Sequence, residues 1–273
     1  QILYFCKPKI RIMNFSTIPK IKTLTFFFFA IFLCGCNNKN EGTLQIEFCH
    51  RVENAPLQLH QLIYENKAGN PYQVDEVKYF ISKICLIDEQ NRYIALAGVT
   101  ENPHYVDISL SETMKLNINV EEGNYKGFAF IFGLDKEDNI SHRFVNPPEA
   151  NFFWPDILGG GYHYMQINGK WETPDNEIKT MNFHTGIGQL YEENSLQIAD
   201  IYQYVHNHFL VTIPHNFSVT KNETTSLNLV MNIENWFQNP NTYDHNYFGG
   251  SIMQNQEAQE MIKQNGCDVF TIE

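Results

Sequence analysis

The stretch "TLQIEFCHRV", residues 43–52, decides the fold class. Leu44, Ile46, Phe48, His50 and Val52 fall on one face, and Gln45, Glu47, Cys49 and Arg51 on the other. A period of two is that of a half-buried β-strand. The same signature recurs outward along the chain. "VDEVKYFISKICLIDEQNRYIAL", residues 74–96, reads as two strands around the turn Asp88-Glu89-Gln90-Asn91, and "NYKGFAFIFGLD", residues 124–135, is apolar on both faces and so central. "YHYMQING", "IKTMNFHTG", "HNHFLVTIP" and "TTSLNLVMNIENWF" supply further strands, separated by Gly, Pro and Asn clusters. This spacing predicts an all-β fold, an antiparallel β-sandwich of about seven to nine strands, rather than βαβ units. One C-terminal helix is expected in "SIMQNQEAQEMIKQNG", with Ser251 as N-cap, Gln254 completing a capping box and Asn265-Gly266 as the stop.

The first 36 residues read as upstream sequence followed by a secretory signal. Residues 1–12 precede the first methionine, Met13. Lys20 and Lys22 then lead into the apolar run "LTFFFFAIFL", too short to span a bilayer stably. Leu33-Cys34-Gly35-Cys36 resembles a bacterial lipobox, which implies cleavage before Cys36, lipidation of its sulfur and a membrane-anchored lipoprotein, facing the periplasm or the cell surface from the outer membrane. Residues 37–43 are expected to be a flexible tether, and residues 44–273 a single domain.

Five of the 19 basic residues lie in the first 35 positions, which hold no acid. The remainder therefore carries 14 Lys+Arg against 31 Asp+Glu, a net charge of −17. Such a body is repelled by nucleic acid and attracts cations. Cys49, Cys85 and Cys267 match no zinc or haem spacing and allow one disulfide at most.

Several motifs are decoys. His206-Asn207-His208 spells the letters of a nuclease name without that motif's dispersed spacing. Gly159-Gly160-Gly161 has no following lysine and opens no helix, so it is no phosphate loop. The ten histidines are the remaining chemical signal. His50 is in phase with an apolar face, where a hydrogen-bonded core imidazole is the commoner outcome and a metal ligand the sharper one. His163 follows the three glycines, between Tyr162 and Tyr164. His184 sits near a strand end in "NFHTG". His206 and His208 are expected on one strand face, a weaker metal pair. Asp244 and His245 are read as loop hydrogen-bonders. Imidazoles in a site poor in thiolate suit copper, with zinc the less favoured alternative.

A resemblance adds to this. "LQIEFCHRV…PLQL", "VDEVKYFISKICL", "YVDIS", "EGNYKGFAFIFGLD", "FFWPDILGGGYHYMQINGKW" and "NFHTG" occur in an order and spacing similar to the MbnP-like family of periplasmic copper-binding proteins, which are β-sandwiches. Phe153-Trp154-Pro155 through Gly161-Tyr162 to Gly169, and Phe183-His184-Thr185-Gly186, carry the likeness. Asp156 stands where the family often has a second tryptophan. The resemblance implies copper binding by histidines. In some members it also implies a tryptophan oxidised to kynurenine by a partner dihaem cytochrome c peroxidase-type enzyme. Carried over, the tryptophan is Trp154 and the ligands are His50 and His184. His163 is added because it lies in the same turn.

The expected function is therefore a lipid-anchored copper-binding or copper-handling protein, not an enzyme, with those rings converging as the sheets close. The competing reading is a metal-free extracytoplasmic module that stacks a glycan or peptide on aromatic side chains. A zinc hydrolase ranks last, for want of a glutamate at motif distance from the histidines.

Overall fold

The computed structural model describes residues 40–192 and 195–273. The signal segment, Cys36 and most of the expected tether lie outside the described residues.

Fifteen strands occur among the described residues. In chain order they are β1 (Glu41–Val52), β2 (Ala55–Pro56), β3 (Tyr64–Glu65), β4 (Pro71–Asp88), β5 (Tyr93–Ala95), β6 (His104–Asp107), β7 (Lys115–Glu121) and β8 (Gly123–Phe132). There follow β9 (Met165–Glu172), β10 (Ile178–Thr185), β11 (Ile187–Tyr191), β12 (Ile201–His206), β13 (Phe209–Val219), β14 (Thr224–Asn232) and β15 (Phe270–Ile272). Eight of these are seven residues or longer; all but β7 match strands read from alternation, and the strand read after the Asp88 turn is the short β5. The rest are short edge pairings that leave little periodic trace.

β1 is buried at every second residue, as its sequence requires. It begins at Glu41, inside the segment read as a tether, because Gly42 and Thr43 pair with Val120 and Asn119 of β7. One sheet runs β15-β14-β1-β2, with β7 also on β1. A larger sheet runs β10-β9-β4-β8-β13, and β3, β5 and β6 join β4. β11 and β12 form a separate ribbon. Among the described residues the named strands pair antiparallel with one exception: β1 and β14 run parallel, from Thr43↔Thr224 to Arg51↔Asn232.

Leu44, Ile46 and Phe48 of the smaller sheet and Val77, Tyr79, Phe130 and Ile167 of the larger one share a single apolar core, which makes the molecule a β-sandwich. A second, smaller core lies on the other face of β4. There Phe80 packs with Tyr105, Phe152, Trp154, Tyr162 and Tyr164. The alternation of Tyr79 and Ile81 in one core with Phe80 in the other separates the two faces.

The C-terminal segment enters the main core through Trp236, Phe237, Tyr243, Ile252 and Ile262. It carries a one-turn helix α1 (His245–Phe248) and the expected helix α2 (Gln256–Asn265). α2 starts later than the sequence predicts. Its N-cap is Asn255, whose side chain accepts from the Ala258 amide, and not Ser251. Gly266 ends it without a left-handed turn. Glycine is needed there because a Cβ would sit 2.1 Å from the Phe209 ring.

Candidate metal centre

The glycine-rich turn delivers Trp154 and His163 to the outer face of the larger sheet. Gly159, Gly160 and Gly161 all have positive φ, at 115°, 68° and 79°, so three consecutive left-handed residues reverse the chain. The Trp154 amide donates to the Gly161 carbonyl at 2.9 Å, and Phe153 bridges Tyr162. The indole is buried and its Nε1 donates to the Leu158 carbonyl at 3.2 Å. One face of the indole presses on Gly186, where a Cβ would lie 2.6 Å from it. The indole also helps wall a cleft of about 480 Å³ with Phe144, Val145 and Phe153.

The turn exits by pairing with the end of β10, where the Tyr164 amide donates to the Thr185 carbonyl at 2.7 Å. This sets His163 beside His184. The His163 ring lies 4.8 Å from the indole and 5.2 Å from the His184 ring, centroid to centroid, edge-on to both. Phe183 belongs to the main core, so its neighbour His184 projects from the opposite face.

Hydrogen bonding fixes the tautomer of each ring. His163 Nδ1 is 3.2 Å from the Phe152 carbonyl, which only accepts, so Nδ1 carries the proton and Nε2 the lone pair. Asn168 Nδ2 donates to Glu76 Oε2 at 2.6 Å, which turns the Asn168 Oδ1 toward His184 Nε2 at 2.7 Å. His184 Nε2 is therefore the donor. Its Nδ1 keeps a lone pair that is closed to water and has no partner. Lys78 holds Glu76 in turn. Burial, and then the charge of His184, pushes the His163 pKa down to about 3; burial, and then Lys78, pushes that of His184 down to about 4. Both rings are neutral at physiological pH, the ligating form.

The expected convergence of His50 on this pair does not occur. Its ring is in phase with Phe48 and packs 5.7 Å from Tyr79, inside the main core and on the other side of β4. Alternation places a residue on a buried face but does not say which face of the facing sheet it meets. His206 and His208 do not share a strand face either: β12 ends at His206, and His208 precedes β13. Asp244 caps α1 by accepting from the Asn246 amide. The His245 ring makes no hydrogen bond and stacks on Trp171. Cys49, Cys85 and Cys267 are free thiols.

Sequence reading missed Asn168, Glu76 and Lys78. Asn168 alternates with Gln166 and Lys170 along β9; its signal is an asparagine inside a strand, where the residue type is depleted.

Among the described residues no group of three or more His, Cys, Asp or Glu side chains is arranged to hold a metal. The pair His163 and His184 offers two imidazole donors, one of them an orphaned buried lone pair. Zinc sites usually take three or four protein ligands, so this pair would hold zinc only with water or further donors completing the shell. Imidazole nitrogens are donors that copper accepts, as zinc and nickel also do.

The MbnP family model matches residues 41–254. The chain belongs to the MbnP family. Trp154, His163, His184 and His50 all lie within the matched span, while α2 lies beyond it. Among solved structures the chain is similar to "MbnP from Methylosinus trichosporium", at 13% identity over 73% of this chain and 78% of that chain, with a TM-score of 0.48. No curated protein matches the chain in sequence.

Proposed function

We propose that this MbnP-family protein is a lipid-anchored, extracytoplasmic copper-handling protein that holds one copper ion between His163 Nε2 and His184 Nδ1, beside Trp154. The observation that carries the reading is the His184 Nδ1 lone pair, buried without a partner and 5.2 Å, ring to ring, from a second neutral imidazole. Leaving such an atom unpaired costs about 1–3 kcal/mol. Family membership and the acidic body support the same reading.

Copper is the cargo here, and the protein's part is to bind, orient and shield. The Phe152 carbonyl and the Glu76–Asn168 pair fix both rings in the tautomer that exposes a lone pair to the ion. Orienting contacts of this kind are typically worth 10–100-fold in metal affinity. Trp154, Phe152 and Phe80 exclude water from one side. A dihaem peroxidase-type partner would meet the indole from the cleft beside Phe153. The stacking module is the weaker alternative, because all three tryptophans, Trp154, Trp171 and Trp236, are buried and offer no indole face to a sugar.

The test is copper stoichiometry, by elemental analysis after dialysis, for the protein and for the variant combining His163→Ala with His184→Ala. One copper equivalent fewer in the second than in the first supports the reading. Copper retained at full stoichiometry in the double variant refutes it. Intact mass of protein from its own host reports lipid on Cys36 and oxygen on Trp154.

A further inference from the structure

Two more histidines stand on the far side of Gly186. Asn207, between His206 and His208, is buried and turns inward, where its Nδ2 donates to the Gly186 carbonyl at 3.0 Å and its Oδ1 accepts from Gln256 Nε2 at 2.9 Å. A longer contact to Gln259 Oε1, at 3.4 Å, completes the anchor. With the central side chain pinned inward, the flanking imidazoles come together with their centroids 5.9 Å apart, inclined at 53°.

Each ring keeps its Nδ1 closed to solvent with no hydrogen-bond partner. Two such atoms on neighbouring rings point to something both would bind. His50 and His245 also have unpartnered nitrogens, but each packs against other aromatic rings and not against another imidazole. The charges facing the pair are mixed. The Asp135 carboxylate favours a bound cation, whereas Lys136, facing His206, and Lys263, facing both rings, oppose it. Lys263 is itself occupied, donating to the His206 carbonyl at 3.4 Å.

We propose that His206 and His208 form a second cation site, separate from the His163–His184 pair, for a late first-row divalent ion completed by water. The geometry allows it: metal–nitrogen bonds of about 2.0–2.1 Å put the centroids of two imidazoles on one ion roughly 4.5–6.5 Å apart. Two neutral nitrogen donors and no thiolate select nickel, copper(II) or zinc over magnesium or calcium. The lysines keep the affinity modest, and the site is more open than its neighbour.

The experiment is a Ni(II) titration by calorimetry on the protein carrying His163→Ala and His184→Ala, so that the fate of the copper reading does not affect the result. One Ni(II) equivalent is expected, lost when His206→Ala and His208→Ala are added. Asn207→Ala, which keeps both rings but frees the anchor, is expected to weaken binding about tenfold or more. In the otherwise unsubstituted protein the same two histidine substitutions lower total Ni(II) stoichiometry by one, with unchanged circular dichroism. A Ni(II) isotherm that is absent in the starting variant, or unaltered by losing His206 and His208, overturns the site.

Discussion

The two faces of the larger sheet meet the same residue type in opposite circumstances. On the inner face His50 is buried against Tyr79 with neither ring nitrogen partnered. On the outer face His163 and His184 are nearly as buried, yet each has one nitrogen tied to an acceptor, which leaves the other as a lone pair of known position. Burial is therefore no guide to which histidine does chemistry. What distinguishes them is a second imidazole within reach and a contact that decides where the proton sits.

The largest effect that would break this contrast is on metal binding. Loss of His163 and His184 is expected to remove one copper equivalent, while His50→Leu leaves the copper stoichiometry unchanged; a copper titration of both variants decides it. Next comes the floor beneath Trp154. Gly186→Val forces side-chain atoms into the indole and is expected to destabilise the fold by about 3 kcal/mol or more, read from denaturant unfolding.

Acid should act on both faces together. Burial lowers the pKa of His50, His184 and His245 to about 4 and that of His163 to about 3, against 6.5 unperturbed. The unfolded chain takes up these protons near pH 6.5 and the folded chain only near pH 3–4. The histidine contribution to stability is thus whole above about pH 6.5, drains as pH falls toward 3–4 and levels off below about pH 3, each group contributing on the order of 3–5 kcal/mol. Unfolding midpoints measured across that range check it.

A smaller effect sharpens the contrast further. Asn168→Leu leaves His184 in place but releases its tautomer, so copper affinity should fall about 10–100-fold. Nitrogen NMR of the metal-free protein should then show His184 shifting from a single tautomer to a mixture. The smallest effect belongs to His50→Leu. Removing two unsatisfied nitrogens from an apolar site should change stability by less than about 1.5 kcal/mol.

Much of this was legible beforehand, for reasons that particular residues make plain. Leu44 through Val52 announced β1, and Asp88 announced the turn after β4, because its Oδ1 accepts from the Gln90 and Arg92 amides, a contact local in sequence. The three glycines announced a reversal that their φ angles realise. Illegible features depended on register between distant strands. The diagonal reach from Asn168 to His184 exists only once β9 and β10 pair, and the Asn168–Glu76 bond only once β9 lies on β4. His50 failed for the same reason: its own strand fixed its burial, whereas the sheet opposite fixed its company. At α2, Ser251 and Asn255 are both good caps, and the parallel bridge between Ser251 and Asn182 removed the first from competition.

The parallel ladder between β1 and β14 has a kinetic corollary. Thr43 lines up with Thr224, so β1 gains β7 on one edge first and its neighbour on the other edge, β14, only after most of the polypeptide has been made. High contact order of this kind slows folding, since a large loop must close before its pairing is rewarded. Until then the β14-facing edge of β1 keeps its backbone groups unpaired and prone to association, so a truncation that deletes residues 224–232 should yield aggregates rather than a smaller folded protein.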